Sequence, residues 1–286
     1  MIRKIKQLLK KIVVAAQGPY KQIRVGNFSL TANRESRLDE FLERHPNYSR
    51  NFSKLVSKIL ANDPKSHIID IGANIGDTVA LLRSENIDNP IICIEGNCTY
   101  LELLHKNSAL FENIVIFETF LSDKESETNA KVITEEGTAT IVSESTGAKI
   151  KMTSLDTLLM TKKINDIKIL KVDTDGYDIL ILNGSKSVIS ENLPVIFFEY
   201  DNKCNAAPQS CLDWLLSLKN LGYHQSLFYD NLGNFLMAPN LLQDELITQL
   251  DAYIAENGAF SYYDVAVFHK NDQQLADSII KSLVSG

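Results

Sequence analysis

The residues of this chain whose types and spacing could do chemistry are glycines and carboxylates at the ends of apolar runs. HIIDI (67–71) leads through Gly72-Ala73-Asn74-Ile75-Gly76 to Asp77 and Thr78. IICIE ends on Glu95, followed by Gly96 and Asn97. IKILKVD ends on Asp173, with Asp175 and Asp178 close behind, and VIFFEYD ends on Glu199 and Asp201. A glycine turn entering a helix presents backbone N–H groups to an anionic ligand group. A dinucleotide fingerprint would read G-x-G-x-x-G, but here the spacing is G-x-x-x-G, with Ala73 and Asn74 between. A phosphate-binding P-loop would need Gly-Lys-Ser/Thr, whereas Asp77 follows Gly76 and would repel phosphate. The turn therefore suits a ligand without phosphates.

S-adenosylmethionine meets that description. Amides of the turn and helix start can bind its carboxylate. Asp70 or Asp77 can hold its ammonium and offset the cationic centre. An acid closing the second strand takes ribose hydroxyls in dinucleotide folds, and Glu95 stands there. Leu121-Ser122-Asp123, after the third strand, is placed to meet the adenine. The residues expected to hold this cofactor are thus Asp70, Gly72, Ala73, Asn74, Gly76, Asp77, Thr78, Glu95, Gly96, Asn97, Ser122, Asp123 and Asp173.

Five short Ile- and Val-rich runs carry these residues: HIIDI, PIICIE, NIVIFET, IKILKVD and PVIFFEY. Runs apolar almost throughout read as strands buried on both faces of a parallel sheet. TVALLRSEN, TYLELLHKNSAL, SLDTLLMTKK and YDILILNGSKSVISEN between them read as helices, giving a doubly wound α/β sheet. WLLSLKNL and LLQDELITQLDAYIAEN continue the helical pattern. YHQSLFYDNLGNFLMA alternates around a glycine turn, and with SYYDVAVFHK it predicts an antiparallel edge pair. ATIVSE and AKIKMTS predict a small hairpin over the sheet edge.

Composition excludes several classes. A net charge of −7 argues against a general nucleic-acid binder. No run of about 18 apolar residues predicts a membrane span. The four cysteines lack CxxC spacing and the five histidines are scattered, so zinc and disulfide frameworks are not expected. The compartment reads as reducing cytoplasm. Residues 1–34 carry eight cations and no acid, and IRKIKQLLKKIVV has helical apolar spacing. That predicts an N-terminal helical extension over residues 1–60 preceding the main domain at 61–286. Residues 1–15 would either lie on anionic lipid at the inner membrane face or pack on the domain or on a second copy of the chain.

The motifs IDIGANIGDT, IEGNCTYLELLHKN, LSD, TSLDTLL, LKVDTDGYDILILNG and FFEYD, in that order, resemble the FkbM family of S-adenosylmethionine-dependent methyltransferases. The resemblance covers about residues 45–201, HPNYSRNF included. It departs where Glu95-Gly96 replaces a frequent Glu-Pro and Thr174-Asp175 a frequent Val-Glu. It implies a Rossmann-like methyltransferase sheet and O-methylation of a hydroxyl on a sugar, nucleotide-sugar or surface glycan. An alcohol needs a base before it attacks a methyl group, so Asp175 is expected as base, with Asp173 and Glu199 orienting the reactants. Asp178 reads either as part of that cluster or as a helix-start acid. Asp173, Asp175, Glu199 and Asp201 could also hold magnesium or manganese, but plain acceptance of substrate hydroxyls is favoured. The alternatives are a nucleotide-sugar or dinucleotide oxidoreductase on the same fold, and a non-catalytic binding module.

Overall fold

The computed structural model describes residues 17–135, 138–143, 147–162, 164–256 and 262–285. The chain opens with strands β1 (Tyr20–Val25) and β2 (Phe28–Asn33), then helices α1 (Leu38–Arg44) and α2 (Arg50–Ile59). Next come β3 (His67–Ile71), α3 (Asp77–Ser84), β4 (Ile91–Glu95), α4 (Cys98–Ser108), β5 (Ile114–Glu118) and β6 (Phe120–Leu121). Three strands follow, β7 (Ser126–Glu135), β8 (Thr138–Ser143) and β9 (Ala148–Thr153). Then come α5 (Leu155–Met160), β10 (Ile167–Val172), α6 (Asp178–Asn183), α7 (Lys186–Asn192) and β11 (Val195–Tyr200). The chain ends with α8 (Cys211–Ser217), β12 (Tyr223–Asp230), β13 (Phe235–Met237), α9 (Asp244–Glu256), β14 (Tyr263–His269) and α10 (Gln273–Val284).

All five apolar runs are strands of one eight-stranded sheet ordered β13-β12-β14-β11-β10-β3-β4-β5. β5, β4, β3, β10 and β11 pair in parallel, with the chain order reversing between β3 and β10. The side chains of β3, β4, β10 and β11 alternate between two buried layers because strand periodicity is two, whereas β5, expected to be buried on both faces, is the sheet edge, with Val115 exposed and Ile114 and Phe117 half-buried. Ile69, Ile71, Leu170, Val172 and Phe198 enter one layer, and Ile68, Cys93, Ile169, Val195 and Phe197 the other. Burying each such side chain contributes about 1.5–3 kcal/mol, so the sheet is the rigid part on which the site stands. Caps fix the helices that cover it. Asn97, Ser154 and Ser210 accept backbone N–H bonds from Thr99, Thr157 and Asp213 at the starts of α4, α5 and α8.

Three further expectations change. The edge is a three-stranded antiparallel set, because β14 inserts between β11 and β12 and pairs with both. ATIVS and AKIKMT do not pair with each other. β8 and β9 flank β7 in a separate sheet ordered β6-β9-β7-β8. The helical extension is interrupted by a β-hairpin: β1 and β2 pair over Tyr20–Asn33. This hairpin packs Ile23, Val25, Leu30 and Ala32 on Ile75, Leu81, Tyr100 and Leu103, joining the extension to the main domain. The amphipathic run at residues 1–15 lies outside the described residues. Among the described residues no helix is long and apolar enough to cross a membrane.

Candidate active site

The carboxyl ends of the parallel strands converge on two adjoining cavities, the place where open α/β sheets bind ligands. The larger, about 550 Å³, is floored by Asp173, Glu199 and Asp264 and walled by Tyr48, Asn51 and Tyr262. The smaller, about 80 Å³, is an apolar slot between Ile94, Phe120, Leu121 and Ile181, with Glu95 and Asn97 at its rim. Gly72, Asn74, Tyr100, Asp173 and Asp175 line both and mark the passage between them.

Local backbone chemistry shapes this passage. Gly72 sits at φ +80°, and a Cβ there would lie 1.8 Å from the Asp173 carbonyl oxygen. Glycine is thus demanded by the close approach of the β3 and β10 ends. Asn74 (φ 46°) and Asp175 (φ 51°) are also left-handed, a conformation that costs a non-glycine residue energy and clusters at functional sites. Asp178 is buried at the start of α6. Its Oδ2 accepts from Thr174 N (3.2 Å) and Thr174 Oγ1 (2.8 Å), and its Oδ1 from Glu199 N (3.3 Å). Asp178 therefore ties the Thr174–Asp175 loop to β11 and lines neither cavity.

Glu95 is more committed than a free ribose acceptor would be. Its Oε2 accepts from Asn74 N (3.0 Å), and its Oε1 from Gly96 N (2.9 Å) and Asn97 N (2.8 Å). A carboxylate has about four acceptor positions, so one remains after these three bonds. Burial pushes the Glu95 carboxyl up, and the three amides oppose that shift. Beside it, Asn97 Nδ2 is buried with no hydrogen-bond partner among the described residues. Such an orphaned donor calls for a ligand acceptor. An apolar slot, a carboxylate and an orphaned amide fit a flat heterocycle joined to a hydroxylated sugar.

Several expected residues stand elsewhere. Asp70 is fully buried and lines neither cavity. Its Oδ1 accepts from Lys171 Nζ at 3.0 Å, and the same ammonium pairs with Asp173 Oδ2 at 3.1 Å. Ala73 and Gly76 are buried inside the turn and line neither cavity. Ser122 and Asp123 bond to each other, and the Ser122 amide donates to Thr153 O, so Thr119, Phe120 and Leu121 line the slot instead. Asp201 turns away to accept from Lys203 N and Cys204 N. Gly72, Asn74, Asp77 and Thr78 do line the large cavity, and Gly96 and Asn97 the slot.

The site also contains residues that the sequence reading missed. Lys171 is buried yet lines the large cavity. Burial alone would push its ammonium down, but Asp173 and Asp70 outweigh it and hold it well above the ordinary value. Asp264 faces Glu199 across the β11–β14 ladder and accepts from Asn51 Nδ2 at 2.8 Å. Burial raises Asp264 to about 7, against the opposing Asn51 bond, and raises Asp77 to about 6, against the pull of Lys171. Glu199 is also shifted up, by burial first and then by Asp173 and Asp178. Among the described residues no three His, Cys, Asp or Glu side chains are disposed to hold a metal ion. The signals for the missed residues were present. Lys171 and Asp70 occupy paired register positions in mostly apolar strands, and Asp264 is the second residue of a strand that enters from the carboxyl edge.

No curated protein matches the chain. Among solved structures it is similar to FkbM from Methylobacillus flagellatus KT, at 12% identity and TM-score 0.38. That match covers 72% of this chain and 44% of the other, so the chain spans less than half of that protein's length. It is also similar to TrmK of M. capricolum in complex with S-adenosyl-homocysteine (14%, TM-score 0.39, covering 76% and 68%). A third neighbour is TYW2 of M. jannaschii in complex with AdoMet (10%, TM-score 0.42, covering 88% and 85%). The model of the methyltransferase FkbM domain matches residues 70–224, more than half of the 286 residues, from Asp70 through the glycine turn and all the carboxylates up to Glu199. The chain belongs to the FkbM methyltransferase family.

Proposed function

We propose that the protein is an S-adenosylmethionine-dependent O-methyltransferase acting on a hydroxyl of a sugar, nucleotide-sugar or surface glycan. The observation that carries this reading is the joining of an apolar, Glu95-rimmed slot to a carboxylate-floored cavity at Asp173 and Asp175. S-adenosylmethionine supplies an electrophilic methyl group on a cationic sulfur. In this reading Ile94, Phe120, Leu121 and Ile181 clasp the adenine, and Glu95 and Asn97 meet the ribose. The turn from Gly72 to Asp77, with Thr78, holds the amino-acid end.

Asp175 takes the proton of the acceptor hydroxyl and passes it to solvent through the cavity mouth. Its left-handed backbone, anchored through Thr174 to Asp178, fixes where the carboxylate stands. Asp173, braced by Lys171, and Glu199 orient the acceptor by accepting its remaining hydroxyl hydrogens. Alignment of this kind supplies much of the rate in a displacement between two bound molecules. A dinucleotide oxidoreductase is disfavoured by the missing middle glycine and by the family assignment.

Incubation with methyl-labelled S-adenosylmethionine and a panel of hydroxyl-bearing sugars, nucleotide-sugars and glycans, followed by mass analysis, tests the reading. It predicts S-adenosylhomocysteine formed in step with label on an acceptor oxygen. Label on nitrogen or carbon would overturn the O-directed reading. Absence of turnover by folded protein that binds the methyl donor would leave a binding module.

A further inference from the structure

We propose that residues 33–52, with Tyr262, form an acceptor-selecting wall that takes a sugar rich in hydroxyl or amine groups and carrying no phosphate. The inference rests on the methyltransferase reading and narrows its substrate class. These residues lie outside the matched span of 70–224, yet they close the large cavity opposite its carboxylate floor. The resemblance to the family reaches back to residue 45, so residues 33–44 and Tyr262 are the part of the wall added by flanking segments, on a floor supplied mainly by the family domain.

The chemistry of the wall and floor is one-sided. Asp77, Asp173, Asp175, Glu199 and Asp264 line the cavity, against the cations Lys171 and Arg37. Both cations are already matched: Lys171 by Asp70 and Asp173, and Arg37 by Glu40 at 3.3 Å. A phosphate placed here would meet this carboxylate lining, with no further cation lining the cavity among the described residues to offset it. Hydroxyl and ammonium groups are donors and suit carboxylate acceptors. Asn51 adds to that set, since its Nδ2 is spent on Asp264 while its buried Oδ1 has no hydrogen-bond partner among the described residues. Phe41 and Tyr48, with ring centroids 5.5 Å apart, and Tyr262 supply aromatic surface for the apolar faces of a sugar ring.

The test uses the full-length protein loaded with S-adenosylhomocysteine and ligand-observed saturation-transfer NMR with glucose, glucosamine and glucose 6-phosphate. The expected result is saturable binding of glucose and glucosamine, with the phosphate ester at least about tenfold weaker. Tyr48→Ala should weaken sugar binding by about tenfold, with S-adenosylhomocysteine affinity unchanged as the control for folding. Tyr48→Phe, which keeps the ring, should retain most of the binding. Equal or tighter binding of the phosphate ester, no saturable binding of any of the three, or wild-type sugar affinity in Tyr48→Ala would each overturn the inference. Loss of S-adenosylhomocysteine binding by the wild-type protein would instead strike the methyltransferase reading itself, and the inference with it.

Discussion

Lys171→Met isolates the electrostatics beneath the site. The wild-type ammonium is buried between Asp70 and Asp173 at 3.0 and 3.1 Å, and Asp70 is fully buried while the Asp173 side chain is half exposed. Removing the cation leaves Asp173 able to hydrate, whereas Asp70 stays buried as an uncompensated charge. Breaking a buried pair in this way costs about 3–5 kcal/mol. Protonation sets a ceiling: neutralising a carboxyl of ordinary pKa at pH 7 costs about 1.4 kcal/mol per unit over roughly three units, or about 4 kcal/mol. The sign of the pH dependence follows. In the variant Asp70 is raised further, so the folded state binds a proton that the unfolded state has released. The variant's stability deficit should therefore shrink by about 1.4 kcal/mol per unit as pH falls from 7 towards 4.

Urea unfolding followed through the fluorescence of Trp214, the single tryptophan, buried against Phe198 at 5.2 Å between ring centroids, measures this deficit directly. The double variant Asp70→Asn/Lys171→Met should recover about 2 kcal/mol or more of the loss, because the stranded charge is gone. A Lys171→Met variant within about 1 kcal/mol of wild type, or a deficit that does not change with pH, would show that Asp70 is not stranded by loss of the cation.

Asp175→Asn keeps shape and removes charge, so turnover should fall by about 10²–10⁴ with little change in methyl-donor affinity. A loss of tenfold or less that is insensitive to pH would transfer the base to Glu199. Gly72→Ala should lower stability by more than about 2 kcal/mol, through left-handed strain and collision with the Asp173 carbonyl; a wild-type melting temperature would contradict the turn geometry. The ligand-free wild-type protein should grow more stable as pH falls from 7 to 5. Asp264 (about 7) and Asp77 (about 6) are raised in the folded state, which then binds protons that the unfolded chain has released. Thermal melts that are flat or rise with pH across that window would count against it.

The sequence made legible whatever is local and periodic. Five Ile- and Val-rich runs read as strands, and all five are; four are buried on both faces, the fifth, β5, is the exposed edge, and each strand-end acid followed from its position in the run. β14 was harder, because its place between β11 and β12 is a long-range pairing that the alternation of SYYDVAVFHK does not encode. That pairing also hid Asp264, which the antiparallel direction brings to the carboxyl edge. The hairpin β1–β2 was not legible because YKQIRV buries only Ile23 and Val25, a short alternation set among basic residues. Asp70, expected beside the ligand, is buried against Lys171 and lines neither cavity, and the reason this was not legible is a different one. An acid inside an apolar strand and an acid in the following turn look alike in sequence, and only the register with Lys171 tells a structural carboxylate from a ligand-facing one.

In the proposed function, the slot at Glu95 and the turn at Gly72 hold S-adenosylmethionine and not a dinucleotide. Isothermal calorimetry of the full-length protein with S-adenosylmethionine and with NAD tests it most directly. The expected result is saturable one-to-one binding of S-adenosylmethionine, none of NAD, and at least about tenfold weaker binding in Glu95→Ala, in which the remaining carboxylate acceptor and the anchor for the Asn74 and Asn97 amides are lost together. Binding of NAD in place of S-adenosylmethionine, or unchanged affinity in a folded Glu95→Ala, would contradict it.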